Sequence, residues 1–165
     1  MPDNTVPEAE AKCFVLAFRF WGDHFAWVLA SSHDHATVQT DCLILAHDHL
    51  KMPVNLRRGY QLAWLRKELL EITARHPVRQ IAYRGVEQIA QTKNSARAES
   101  EGVFLEVCAA ERGIEARKLL TKQLKKALSF VGKDLKDLLG NEPYNAVPKI
   151  NCGEAALTAI ALLLI

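Results

Sequence analysis

A chain of 165 residues, 49% hydrophobic and 24% charged, has the length and composition of one soluble globular domain with a sizeable core. Its 21 basic and 19 acidic side chains leave a net charge of only +2, so no global field draws it to nucleic acid or membrane, and polyanion affinity requires a local patch. Four cysteines (Cys13, Cys42, Cys108, Cys152) without CxxC spacing argue against a disulfide scaffold, and their mostly apolar settings read as reduced thiols of a cytoplasmic protein.

Residues 1–11 (MPDNTVPEAEA) hold two prolines and no apolar period, which predicts a disordered tail lacking the apolar region of a secretory leader. One domain is expected over 12–165. Cys13–Trp21 is continuous and aromatic-rich, as a central strand should be. Gly22-Asp23 supplies a turn and Phe25–Ala30 the hairpin partner. A polar turn at Ser31–His35 leads to a third strand at Thr37–Leu45, and 47–57 reads as an irregular crossing. Leu62, Leu65, Leu69 and Ile72 form one stripe of a helix over Tyr60–Arg75, stopped by His76-Pro77.

A short buried strand at Val78–Tyr83 closes on Arg84-Gly85, and a helix from about Ser95 to Arg112 ends at Gly113. Ile114–Leu119 is a further strand. Two basic helices, Thr121–Phe130 and Lys133–Leu139, precede a loop at 140–148 and a last helix at Cys152–Ile165. The apolar run Ala155–Ile165 has 11 residues, short of the roughly 20 that span a bilayer, and reads as core. The order βββ-α-β-α-β-α-α gives an α/β domain: a mixed five-stranded sheet, three strands antiparallel and then two parallel, flanked by helices.

Four stretches carry a resemblance. Phe14–Val28 (FVLAFRFWGDHFAWV) has a strand, a Gly turn and a second strand; Ile81–Asn94 (IAYRGVEQIAQTKN) is a strand end and loop. Gln123–Gly140 (QLKKALSFVGKDLKDLLG) begins with a Lys-Lys pair and passes a Gly turn, and Pro148–Ala161 (PKINCGEAALTAIA) enters an Ala/Leu-rich helix. In this order they resemble the RuvC-like Holliday-junction resolvases of the ribonuclease H-like superfamily. The resemblance implies a two-metal nuclease site of about four carboxylates, hard oxygen ligands that suit Mg²⁺ or Mn²⁺. It also implies a homodimer and branched DNA as substrate.

The sequence departs from that pattern at the site itself. The first-strand acid aligns with Arg19. The second aligns with Arg84 or Gly85 by strand end, or with Glu87 by the downstream Lys93-Asn94. The final acidic pair becomes Asn151 and Glu154. An arginine among metal ligands repels the ions, so we expect Arg19 to pair with Glu154 at the former metal site, within about 6 Å. The competing expectation is that Arg19 simply faces solvent on the open side of the hairpin.

From residue 115 to 149 there are eight Lys/Arg against four Asp/Glu. Lys122, Lys125 and Lys126 share a helix face and, with Lys118, Lys133 and Lys136, suit a phosphate backbone; an ordinary solvated face reads equally from the same residues. His33-Asp34-His35 and His47-Asp48-His49 offer metal-ligating side chains, but at opposite ends of the third strand they are too far apart for one ion. GxSxG, GxGxxG and GxxxxGK[ST] are absent, which argues against a serine hydrolase or a nucleotide cofactor.

We therefore expect a catalytically inactive RuvC-like domain, with no cofactor, that binds structured nucleic acid or a protein partner. One rival is a metal-dependent nuclease using Glu87, Glu154 and Asp23, which requires those carboxyls within about 4–8 Å of one another. The other is a protein-interaction module without nucleic-acid affinity.

Overall fold

A computed structural model describes residues 12–87 and 94–165, so the tail expected over 1–11 lies outside the described residues. Strands β1 (Lys12–Phe20), β2 (His24–His33) and β3 (Cys42–Lys51) form an antiparallel meander. Helix α1 (Arg58–Arg75) crosses to β4 (Gln80–Arg84), which pairs parallel with β1. Helix α2 (Ser95–Glu106) continues into a π-helical turn at Val107–Glu111 and leads to β5 (Arg117–Leu119), parallel to β4. Helix α3 (Thr121–Ala127), 3-10 turns at Leu135–Gly140 and Tyr144–Ala146, and helix α4 (Lys149–Leu164) complete the chain. The sheet order is β3-β2-β1-β4-β5, the mixed arrangement expected from the sequence.

Central β1 is apolar on both faces because both are covered. Val15 and Ala17 face α4, whose Ala155, Ala156, Ala159 and Ile160 bring that helix close against the sheet. Leu16, Phe18 and Phe20 face α1 and α2, where Phe104 packs 4.8 Å from the Phe18 ring and 5.0 Å from that of Phe20. Arg58 ties this second layer to the hairpin, donating to the carbonyls of Gly22 and Ala96.

Several boundaries move, each for a local reason. Residues 37–41 are not strand. The Asp41 carboxylate accepts from the Thr37 and Val38 N–H groups at 3.1 and 3.3 Å and folds them into a 3-10 turn, so β3 starts at Cys42. β3 then runs on to Lys51, taking the first part of the segment expected to be irregular, and His47, Asp48 and His49 pair with Val28, Trp27 and Ala26 at the sheet edge, while 52–57 is irregular. Helix α3 stops at Ala127 with Ser129 left-handed (φ 51°). The second basic helix is a 3-10 turn. α4 begins at Lys149, which places Asn151 in its first turn.

Candidate functional site

Side chains in register across a sheet share a face. Arg19 on β1 lies opposite Ala26, and Ala26 opposite His49, on the face that α4 covers. Arg84, two residues beyond core Ala82 on β4, projects the same way. The polar start of α4 meets this row. Glu154 Oε2 lies 2.8 Å from Arg19 Nε, and Glu154 Oε1 lies 3.6 Å from Arg84 Nε. One carboxylate thus stands between two arginines that are only 8% and 9% exposed.

Each arginine is held by further acceptors, as buried charge requires. Arg19 donates to the Phe20 carbonyl, and its guanidinium carbon sits 4.7 Å from the Trp21 ring centroid, a cation–π contact. Arg84 donates to the carbonyls of Gly85 and Leu119 and, at 2.7 Å, to Thr121 Oγ1. Burial lowers the Arg84 pKa against the opposing pull of Glu154 and Glu87. Thr158 donates to the Glu154 carbonyl at 2.7 Å inside α4.

No family model and no curated protein sequence matches the chain. Solved structures do. RuvC of Thermus thermophilus is similar over 90% of this chain and 92% of its own, with a TM-score of 0.73 and 17% identity. The fold is RuvC-like. The same resolvase in complex with a Holliday junction substrate gives a TM-score of 0.68 at 17% identity, covering 90% of this chain and 91% of that one. The yeast mitochondrial Holliday junction resolvase Ydc2 gives 0.62 at 13% identity, covering 92% and 78%.

On this RuvC-like sheet the solvent-facing reading of Arg19 is overturned. The strand end points it under α4, where Glu154 waits. An acid at Gly85 would have to displace the Lys118 and Leu120 side chains, since a Cβ there would lie 2.6 Å from Lys118 Cε and 2.8 Å from Leu120 Cδ2. Glu87 is tied down, accepting at 2.9 Å from the Thr121 N–H that opens α3, and the bonds from Thr121 hold its carboxyl below the usual range. Asn151 is half-buried, one turn before Glu154. Asp23 is exposed in the β1–β2 turn and pairs with His24 Nδ1 at 2.6 Å. Among the described residues no group of three or more His, Cys, Asp or Glu side chains is gathered so as to hold a metal ion.

The lysines separate into two sets. Lys118 is on β5, within the strand expected there, and its stem covers Gly85. Lys125 donates to the Lys133 carbonyl at 2.9 Å and fastens a loop. Lys118, Lys122, Lys126, Lys133 and Lys136 are exposed, and Lys125 is half-buried. The sequence pattern does not single out Thr121, which couples Arg84 to Glu87, or Glu101 on α2. Burial raises the Glu101 pKa against the pull of Arg97, Lys118 and Arg19, and its Oε1 is 3.4 Å from Arg97 Nε without hydrogen-bond alignment. Trp21 stacks on His24 (4.4 Å between centroids), and the His49 ring stands edge-on to His24 at 5.0 Å. The aromatic spacing about Gly22-Asp23 was the only sequence signal for that stack.

Proposed function

We propose that this chain is a non-cutting RuvC-like domain that binds structured nucleic acid, branched DNA first among its forms. The observation that carries the non-cutting half is the Arg19–Glu154–Arg84 triad. Two buried cations on one carboxylate leave a net positive centre, the opposite of what a pair of divalent cations needs from its ligands. Arginine cannot shed its charge to make way for them. The residues present do not fit a metal pair.

Support for binding is of two kinds. The exposed Lys122, Lys126, Lys133 and Lys136 offer sequence-independent phosphate contacts. A protein of the same fold has been seen with a Holliday junction substrate, an analogy of fold. The homodimer implied by the resemblance belongs to the same reading, and the mass of the free and DNA-bound protein tests it.

The deciding experiment is a gel-shift titration of a labelled four-way junction and a linear duplex, with and without Mn²⁺, read on native and denaturing gels. Binding without cleavage is expected. Reversing Lys122 and Lys126 to Glu weakens it at least about tenfold and lowers the salt slope by about 2, since each lost phosphate contact removes about 0.9. Cleavage abolished by Glu154→Gln would overturn the proposal in favour of a nuclease. Absence of binding at low salt would leave a protein-interaction module.

A further inference from the structure

Helix α3 ends in a geometry that sets the path of the loop after it. Ser129 N–H donates to the Lys126 carbonyl at 3.2 Å and Phe130 N–H to the Lys125 carbonyl at 2.9 Å, around a left-handed Ser129. This is the bond pair of a Schellman cap. Phe130 turns inward and packs against the core on the α4 side of the sheet. Its ring lies over Gly132, where a Cβ would come within 2.4 Å of Phe130 Cζ. Gln39 Nε2 holds the Leu128 carbonyl at 2.9 Å, and Lys125 Nζ holds the Lys133 carbonyl at 2.9 Å. The loop is therefore fastened before, at and after its tip.

The tip is Val131, whose side chain is fully exposed. Folding has fixed a β-branched apolar side chain outward on a braced loop, and Lys122, Lys126 and Lys133 on the same helix–loop unit are exposed, as is Asp134 after Lys133. Three exposed lysines against one exposed aspartate on this unit favour a polyanion, and an apolar tip favours one with an apolar interior within reach. Nucleic acid, with phosphates outside and stacked bases inside, has both. A lone valine is too little apolar surface to hold a membrane, which takes a broad amphipathic face or two anchoring signals.

We propose that the 128–133 loop is a wedge: Val131 enters an opened base step while Lys122, Lys126 and Lys133 hold the flanking phosphates. This rests on the nucleic-acid reading above and adds how the nucleic acid is deformed. Apolar side chains unstack steps in this way in proteins that bend DNA, and steps at a branch point are the least costly to open.

The test uses the full chain, a four-way junction carrying 2-aminopurine at the crossover, and the variants Val131→Ser and Lys126→Glu. Wild-type protein is expected to raise 2-aminopurine fluorescence on binding. Val131→Ser abolishes that rise and weakens binding about tenfold or more, the equivalent of one buried valine, with the salt slope unchanged. Lys126→Glu weakens binding with a smaller salt slope and keeps the fluorescence rise at saturation. Melting temperature confirms that Val131→Ser is folded. Equal fluorescence and affinity for wild type and Val131→Ser overturns the wedge and leaves nucleic-acid binding standing. No binding by wild type overturns both. Co-sedimentation with anionic vesicles that is lost in Val131→Ser, without any effect on the junction, reassigns the tip to lipid and overturns the wedge.

Discussion

Removing the charge of Glu154 isolates the electrostatics of the triad from its packing. Glu154→Gln keeps the shape and leaves Arg19 and Arg84 facing each other at the end of the sheet, both over nine-tenths buried, without the carboxylate between them. With charge centres about 4 Å apart and an effective dielectric of about 20, each arginine attracts the carboxylate by about 4 kcal/mol. Glu154 is itself 27% exposed, so water takes over part of that interaction, and breaking a buried pair by deleting one partner costs about 3–5 kcal/mol. We expect a loss of about 3 kcal/mol. Urea denaturation reads it: with a slope of about 2 kcal/mol per molar, the midpoint falls by about 1.5 M. The variant Arg19→Met, Arg84→Met, Glu154→Leu replaces the whole triad by apolar side chains of similar volume and should lie within about 1–2 kcal/mol of wild type. A loss below about 0.5 kcal/mol for Glu154→Gln would refute the account, because the arginines would then not need the carboxylate.

The left-handed Ser129 suggests a gain rather than a loss: Ser129→Gly relieves a conformation that L side chains disfavour and should raise stability by about 0.5–1 kcal/mol in the same assay. Acidification should act through His49, whose pKa is lowered from 6.5 chiefly by burial, then by His24 and Lys51. The folded protein holds this ring neutral more firmly than the unfolded chain, so its stabilising share is full above pH 6.5 and is lost as pH falls below it. Melting temperature between pH 7.5 and 5.5 should fall less for His49→Phe than for wild type. His76, also lowered by burial, leaves a residual slope in the variant; identical profiles would remove His49 from the account.

The fold was legible because it rests on local rules. Continuous apolar runs at 13–20 and 25–30 could only be buried strands, Gly22-Asp23 could only turn them, and the Leu65, Leu69, Ile72 stripe needed a sheet to lie on. Boundaries were less legible where side chains cap backbone. Asp41 consumes two N–H groups that a strand would have used, and the α3 cap cuts off a helix that its composition would have continued.

The sequence by itself determined that Arg19 interrupts an apolar strand and that Glu154 is the one carboxylate of a largely apolar last helix. Only the tertiary structure decided that they do meet, because sheet register and the docking of α4 join residues 135 positions apart. The same holds for the lysines. Sequence counts eight basic residues between 115 and 149, but a loop carbonyl takes the half-buried Lys125, while Lys118 stays exposed with its stem over Gly85. Charge is written in composition. Where it can act depends on which surfaces the chain folds away from water.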